Sequence, residues 1–216
     1  MIKAVVFDFD YTLGDSTNGI ALSINYALEQ LGHAASDVES IRKTIGLPLK
    51  KAYVILTGNT DPERAERFTQ YFKEKADHVM TANTVLYDGV EEMLGNLRSA
   101  GCKTAIVTTK FRYRIEAILK KYNAEALFDA IVGSENVKVE KPDPEGLLWT
   151  IDHLGLEKEE VLYVGDSLVD AGTAKNAGVR FAAVLTGTTA REAFEAYPYA
   201  YIAKNAAEIY DYVKGL

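Results

Sequence analysis

Cysteine is almost absent from this sequence of 216 residues, in which Cys102 is the only one. A single cysteine excludes an intramolecular disulfide, and nothing in the cysteine usage points to secretion. A chain of this length can bury a substantial core without covalent cross-links. We expect Cys102, which lies between a turn at Gly101 and a strand, to be a small buried hydrophobic residue.

Long apolar runs and an excess of positive charge are absent too. No run approaches the roughly 18 apolar residues of a membrane span, and Asp8 interrupts the N-terminal apolar segment too early for the about 7–15 residues of a signal peptide. The formal net charge of −7 opposes binding to the phosphate backbone of nucleic acids. These absences predict a cytoplasmic protein with neither a membrane nor a nucleic acid as partner. They leave open whether it is a monomer or a homodimer.

Short, continuous apolar segments rich in valine predict strands that are buried on both faces of a sheet. The strongest segments are residues 4–7, 105–107, 161–164 and 181–185, and the weaker ones are residues 130–132 and 201–202. Apolar residues with the spacing of one helix face lie between these segments. Strands that alternate with helices predict an α/β fold, a Rossmann-like parallel sheet with helices on both faces.

Residues 16–82 interrupt this alternation, because they contain helical patterns and no convincing strand. We therefore predict a small all-helical domain over these residues, inserted after the first strand. The predicted α/β core then consists of residues 1–15 and 83–216.

Two acidic residues, Asp8 and Asp10, follow the first predicted strand directly. Residues two apart on a strand share a face, so we expect both carboxylates to point into one pocket. Neighbouring carboxylates repel each other, and both stay ionised only beside a cation or with a shared proton. A metal ion, one nucleophilic carboxylate and one acid/base carboxylate would suit this pair. The alternative is that the aspartates only cap a turn.

Further polar residues follow later predicted strands. The hydroxyl of Thr108, beside Thr109, could donate to a phosphoryl oxygen or could cap the next helix. Lys141 precedes a proline-rich turn that would fix its direction, although a lysine there could equally be solvated. Asp166 stands at a strand end with Asp170 one turn into the following helix, where capping of that helix is the alternative.

The carboxyl ends of parallel strands meet at one edge of a sheet, where ligands bind in open α/β folds. Four carboxylates and one lysine in a single pocket would carry a formal charge of about −3, which is unfavourable without a divalent cation. Oxygen ligands suit Mg²⁺, which binds one or two carboxylates together with phosphate. The combination predicts metal-assisted phosphoryl transfer.

The order of these residues resembles the four motifs of the haloacid dehalogenase superfamily. The matching positions are Asp8-x-Asp10-x-Thr12, Thr108, Lys141 and Gly165-Asp166-x-x-x-Asp170. The resemblance covers nearly the whole chain, and the helical insertion looks like the C1 cap of that family. The sequence is most similar to the phosphoglycolate phosphatase-like branch, through residues 15–16, 45–49 and 89–90.

The resemblance implies a Mg²⁺-dependent phosphatase. Asp8 would attack phosphorus and form an aspartyl-phosphate, and Asp10 would protonate the leaving oxygen and then activate water. Mg²⁺ would be held by the carboxylates of Asp8 and Asp166 and by the backbone carbonyl of Asp10.

The same resemblance implies that Thr108 and Lys141 hold phosphoryl oxygens and offset the charge that develops on them. Asp170 would support the waters of the metal or orient the lysine. Thr12 and Thr109 would be supporting residues of the motifs.

Departures from the family pattern narrow the range of expected reactions. Asp10 is retained, whereas dehalogenases and phosphonate hydrolases of the superfamily lack that acid. Ile20 stands where the β-phosphoglucomutase branch carries a histidine, and residues 48–49 replace its Ser-Arg pair, which argues against a mutase. Tyr11 replaces the usual glycine and Thr109 the usual asparagine, and neither change removes a catalytic group.

The expected partner is a small phosphorylated metabolite, selected by the cap. Arg42 precedes the turn at residues 45–48, where a guanidinium suits a carboxylate or a second phosphate. Phosphoglycolate is the leading candidate, with pyrophosphate, a nucleotide or a sugar phosphate as alternatives. A phosphomutase or a non-catalytic phosphoryl-binding protein is a further alternative, which retention of all the core motif residues disfavours.

Overall fold

A computed structural model describes residues 1–216 as two compact units. Unit 1 consists of residues 1–15 and 86–216, and unit 2 consists of residues 16–85. The domain limits expected from the sequence, with residues 16–82 as an inserted domain, remain a prediction.

Unit 1 is built on a six-stranded sheet. Its strands are β1 (Ala4–Phe7), β4 (Lys103–Val107), β5 (Ala130–Val132), β6 (Val161–Gly165), β7 (Arg180–Val184) and β8 (Tyr201–Ala203). Their order in the sheet is β5-β4-β1-β6-β7-β8, and every pair of neighbours is parallel. The sequence predicts all six, including the two weaker segments. The sequence does not predict two short strands, β2 (Gly14–Asp15) and β3 (Val85–Leu86), which form a separate two-stranded sheet.

Five helices connect or follow these strands. They are α5 (Val90–Ser99), α6 (Arg112–Lys121), α7 (Glu145–Leu154), α8 (Leu168–Ala177) and α9 (Ile209–Lys214). Gly155 and Gly178 end α7 and α8 in the left-handed conformation, which glycine adopts without a steric penalty. The predicted α/β fold with a parallel sheet is confirmed.

The core of unit 1 is apolar because its strands are covered on both faces. All four residues of β1 are buried, and β4, β6 and β7 expose only their first residue at most. Cys102 is buried as expected, and burial raises the pKa of its thiol to about 11. The thiol is therefore neutral at physiological pH and packs as a small apolar group.

The regular elements of unit 2 are all helices, apart from Val85, which belongs to β3. Its helices are α1 (Thr17–Gln30), α2 (Val38–Arg42), α3 (Leu49–Thr57) and α4 (Pro62–Val79). Asp61 caps α4 by accepting from the backbone N–H groups of Glu63 and Arg64, and Pro62 fills the first helical position, where no N–H is needed. Residues 59–61 thus lead directly into α4, which is the longest helix of the unit.

A polar cluster links three segments of unit 2. The Nε2 atom of His33 lies 3.1 Å from the hydroxyl of Tyr53, and the guanidinium of Arg64 donates to that hydroxyl and to the carbonyl of Leu31. These contacts satisfy the ring nitrogen of His33 inside the unit, so the histidine has a structural role there.

Some aromatic residues lie at the surface of unit 1. Trp149, on α7, is 50% exposed, and its ring stacks on His153 with the centroids 4.8 Å apart. Tyr201 of β8 stacks on Tyr212 of α9. None of the helices has both the length and the apolar character needed to cross a bilayer.

Candidate active site

The acidic pair predicted after the first strand lies at the carboxyl end of β1, in the middle of the sheet. The backbone N–H of Asp8 donates to the carbonyl of Val164 at 2.8 Å, which continues the pairing of β1 with β6. Asp8 and Asp10 are both buried. Strands β4 and β5 extend the sheet on one side of β1, and strands β6, β7 and β8 extend it on the other. Open α/β sheets bind ligands in the crevice at such a point, where the strand order reverses.

A tight turn carries the chain away from Asp10. The carbonyl of Phe9 accepts from the N–H groups of Thr12, Leu13 and Gly14, and the N–H of Tyr11 donates to the carbonyl of Gly14. Tyr11 has a φ of 61°, in the left-handed region. That conformation explains why glycine is usual at this position of the family pattern, and why a tyrosine here needs the surrounding contacts to hold it.

Lys141 joins two carboxylates. Its Nζ lies 2.9 Å from Oδ1 of Asp8 and 2.7 Å from Oδ1 of Asp170, and the lysine is buried. Although burial alone would lower the pKa of Lys141, the charges of Asp170 and Asp8 raise it well above its usual value. The lysine is therefore a fixed positive charge between these two acids.

Tyr163 is a component of the site, although the sequence pattern predicts only a strand for it. Its hydroxyl lies 3.1 Å from Nζ of Lys141, 3.1 Å from Oδ1 of Asp170 and 3.1 Å from the carbonyl of Val107. Burial raises the pKa of Tyr163 well above its usual value, so the phenol stays neutral and can donate. A tyrosine inside an apolar strand carries no sequence signal for this contact.

The helix α8 brings Asp170 to the site. Ser167 caps this helix, because its side chain accepts from the backbone N–H of Asp170, and Oδ2 of Asp170 accepts from Ser167 in return. Gly165 must lack a side chain, since a Cβ there would lie 2.4 Å from the Cβ and Cγ atoms of Asp170. The alternative that Asp166 caps this helix is wrong.

Three carboxylates meet in a buried cluster. One oxygen each of Asp8, Asp166 and Asp170 lies within 4.8 Å of the others. Burial raises the pKa of Asp8 to about 6, against the opposing effect of Lys141. Burial and the charges of Asp170 and Asp8 raise the pKa of Asp166 well above its usual range. Without a cation, the site therefore favours protonation of Asp8 and Asp166.

A second lysine, Lys110, pairs with the other acid of the first motif. Its Nζ lies 3.0 Å from Oδ2 of Asp10, and both side chains are at most 9% exposed. The expectation of one lysine beside four acids is therefore wrong, and the pocket with Lys141 has a formal charge of −2. The sequence shows Lys110 only as the third residue of a Thr-Thr-Lys segment, without a sign of its partner.

The threonines of the motifs line the same sheet edge. Thr108 is buried after β4, where its N–H donates to the carbonyl of Val132 and its hydroxyl accepts from the N–H of Lys110. It does not start a helix, because α6 begins only at Arg112. The hydroxyl of Thr12 is buried without a hydrogen-bond partner in the protein.

The structure thus brings the core motif residues to one place, whereas Arg42 belongs to the other unit. Arg42 is the last residue of α2 and is partly buried in unit 2. Thr109 is partly exposed in the loop that follows β4. Which of these residues contact a substrate stays a prediction.

The donor set fits a Mg²⁺ ion. Asp8 and Asp166 supply carboxylate oxygens, and both belong to the buried cluster whose oxygens lie within 4.8 Å of one another. A divalent cation would balance the formal charge of the pocket and lower the cost of ionising its buried acids. Oxygen ligands without histidine or cysteine favour Mg²⁺ over Zn²⁺.

Comparison with known proteins agrees with this geometry. Residues 5–184 match the family model of the haloacid dehalogenase-like hydrolases. The chain is 38% identical over 190 residues to a phosphoglycolate phosphatase of Cereibacter sphaeroides, which is 86% of each chain. It is 30% identical over 208 residues to the pyrophosphatase PpaX of Bacillus velezensis, covering 96% of this chain and 94% of that one.

Solved structures share the whole fold. A haloacid dehalogenase-like hydrolase from Bacteroides fragilis superposes with a TM-score of 0.94 at 42% identity, covering 97% of this chain and all of that one. A predicted phosphatase from Clostridium acetobutylicum superposes with a TM-score of 0.90 at 26% identity over the full length of both chains.

Proposed function

The chain belongs to the haloacid dehalogenase-like hydrolase family, and we propose that it is a Mg²⁺-dependent phosphatase that hydrolyses a small anionic phosphate ester through an aspartyl-phosphate. The main support for this proposal is the position of Asp8. Asp8, at the end of the central strand, is buried beside Asp166 and is held by Lys141 at 2.9 Å. A nucleophilic carboxylate needs a cation beside it before a phosphoryl dianion can approach, and Lys141 supplies one.

The first step transfers the phosphoryl group to the protein. A carboxylate oxygen of Asp8 forms a bond to phosphorus while the bond from phosphorus to the ester oxygen breaks. The electron pair of that bond leaves with the ester oxygen, which takes a proton from the carboxyl group of Asp10. The products of this step are the alcohol and the aspartyl-phosphate.

The second step hydrolyses the aspartyl-phosphate and returns Asp8 and Asp10 to their starting states. Asp10, now a carboxylate, removes a proton from a water molecule whose oxygen bonds to phosphorus. The bond between phosphorus and the Asp8 oxygen breaks, and inorganic phosphate leaves. Oδ1 of Asp10, which has no protein partner, is the oxygen available for both proton transfers, because Lys110 contacts Oδ2.

The remaining groups of the site offset the negative charge of the phosphoryl oxygens and of the buried carboxylates. Lys141 and the hydroxyl of Thr108 would hold phosphoryl oxygens, while Asp170 keeps Lys141 in place at 2.7 Å. Asp8, Asp166 and the backbone carbonyl of Asp10 would hold Mg²⁺. When bound, the ion supplies positive charge to the phosphoryl oxygens and to the buried carboxylates.

Phosphoglycolate is the substrate we favour, and pyrophosphate is the second candidate. Both names occur among the relatives of this chain, so similarity alone does not separate them. Nucleotides and sugar phosphates are further candidates. We propose that Arg42 binds the second anionic group of the substrate, a carboxylate or a phosphate, as a planar guanidinium suits either one.

The first experiment measures phosphate release from a panel of small phosphates with Mg²⁺. The panel contains phosphoglycolate, pyrophosphate, nucleotides, hexose phosphates and p-nitrophenyl phosphate. We expect release that stops with EDTA and in Asp8→Asn, which keeps the size of the side chain but removes the nucleophile. The substrate with the highest kcat/KM identifies the class.

Other outcomes would reject this function. Release that persists in Asp8→Asn would exclude the aspartyl-phosphate. A folded protein that binds Mg²⁺ and releases no phosphate would favour a phosphoryl-binding role. Isomerisation of a hexose phosphate would favour a mutase.

The role of Arg42 has its own test. Arg42→Ala should raise the KM for phosphoglycolate at least about 10-fold, because a charge-assisted contact is lost, and should change the KM for p-nitrophenyl phosphate less than about threefold. Lys43→Ala, at the exposed neighbouring position, is the matched control. Equal effects of Arg42→Ala on both substrates would refute this role.

A further inference from the structure

The loop after β7 reaches the candidate metal site, although no motif of the sequence includes it. Thr186 and Gly187, here called the 186–187 loop, follow β7 at the same edge of the sheet as the acids. The strand β6 separates β7 from β1 in the sheet. A residue of this loop must therefore extend past β6 to contact the turn that follows β1.

Gly187 lies directly against Asp166. A Cβ at position 187 would lie 1.9 Å from Oδ2 and 2.7 Å from Cγ of the aspartate, distances that real side chains do not adopt. The φ of Gly187 is not in the left-handed region, so the glycine is needed for space and not for its backbone conformation. Because Gly187 has no side chain, the Asp166 carboxylate can occupy the space that a Cβ would fill.

Thr186 contacts the other half of the site. Its hydroxyl donates a hydrogen bond to the backbone carbonyl of Tyr11. Tyr11 follows Asp10 and is the residue with a φ of 61°. A hydrogen bond to that carbonyl holds a peptide in a conformation that a tyrosine adopts only with support.

We propose that the 186–187 loop positions the metal site by fixing the Asp166 carboxylate relative to the turn that carries Asp8 and Asp10. The two contacts are independent, one steric and one polar, and they act on the two chain segments that supply the metal ligands. Groups behind metal ligands commonly set the affinity of the ion. This inference rests on the proposed Mg²⁺ site.

Calorimetric Mg²⁺ titration of the full-length protein tests the loop without relying on activity. Gly187→Ala should weaken Mg²⁺ binding about 10-fold or more, because the added methyl group displaces the Asp166 carboxylate. The Mg²⁺ concentration for half-maximal phosphate release should rise in parallel.

Thr186 provides a second variant that does not depend on the tolerance of the fold for Gly187→Ala. Thr186→Val keeps the shape and removes the donor, so it should weaken Mg²⁺ binding, and Thr186→Ser should restore it. Gly95→Ala is the matched control, since a Cβ there meets no other atom and Gly95 lies in α5, far along the chain from every ligand.

The outcomes separate this inference from the proposed function. Wild-type protein that takes up no Mg²⁺ overturns both. Wild-type protein that binds Mg²⁺, with Gly187→Ala folded and binding equally well, overturns the loop inference alone. If Gly187→Ala does not fold, equal Mg²⁺ affinity of Thr186→Val and Thr186→Ser overturns it.

Discussion

Two lysines, Lys110 and Lys141, are buried at the carboxyl edge of the sheet, and each contacts a different acid of the first motif. Removing one partner of a buried ion pair leaves an uncompensated charge, which costs more than the pair itself contributes. At the scale of the residue, these pairs make the stability of the core depend on the same side chains as the proposed chemistry.

Lys110→Met should lower the free energy of unfolding by about 2–4 kcal/mol, because Oδ2 of Asp10 loses its cation inside the protein. The double variant Lys110→Met/Asp10→Asn should recover part of this loss. Urea unfolding measures the free energy of unfolding of the single and the double variant. Lys3→Met, which breaks the more exposed pair with Glu160, is the control and should cost much less.

The sequence predicts Asp8, Asp10 and Asp166 because each follows a recognisable strand, and parallel strands bring their ends together. Lys110 and Tyr163 are not predicted as parts of the site. Their partners are distant in the chain, and only the register of the sheet and the path of the loops decide those contacts.

At the scale of the element, the start of α8 serves both the helix and the site. Its first turn contains both the capping serine and Asp170, whose two oxygens serve different purposes. Oδ2 holds the helix start through Ser167, and Oδ1 holds Lys141. The sequence predicts the helix and the place of Asp170 within it, but not the cap, since Asp166 and Ser167 are both suitable capping residues.

Ser167→Ala should lower the free energy of unfolding by about 1 kcal/mol, because the hydroxyl of Ser167 no longer accepts from the backbone N–H of Asp170 or donates to its Oδ2. Chemical denaturation provides the measurement. Ser99→Ala, at an exposed position in the last turn of α5, is the control and should be neutral or slightly stabilising. An equal loss in both variants would contradict the capping role.

At the scale of the whole molecule, the buried acids make stability depend on pH and metal together. The pKa of Asp8 rises from 3.8 to about 6 on folding, so the folded state binds the proton more tightly than the unfolded state. This contribution to stability is complete below the unfolded pKa and is lost as the pH rises through the folded pKa. Mg²⁺ would replace the proton above that range.

In EDTA, the Asp8 contribution to the free energy of unfolding should therefore fall by up to about 3 kcal/mol as the pH rises from about 4 to 7. The measurement is urea unfolding of the wild type and Asp8→Asn across that range, with the difference between the two taken at each pH. Added Mg²⁺ should stabilise the wild type more at pH 7 than at pH 5. A difference that does not change with pH would exclude the raised pKa.

The position of Trp149 on α7 determines what an optical experiment can detect. It is the only tryptophan of the chain, it belongs to unit 1, and it stacks on His153. Intrinsic tryptophan emission is therefore a local probe of unit 1, while far-UV circular dichroism also records the four helices of unit 2. Melting curves that coincide for the two signals would indicate cooperative unfolding of the whole chain. A dichroism change without an emission change would mark residues 16–85 as a separately melting segment.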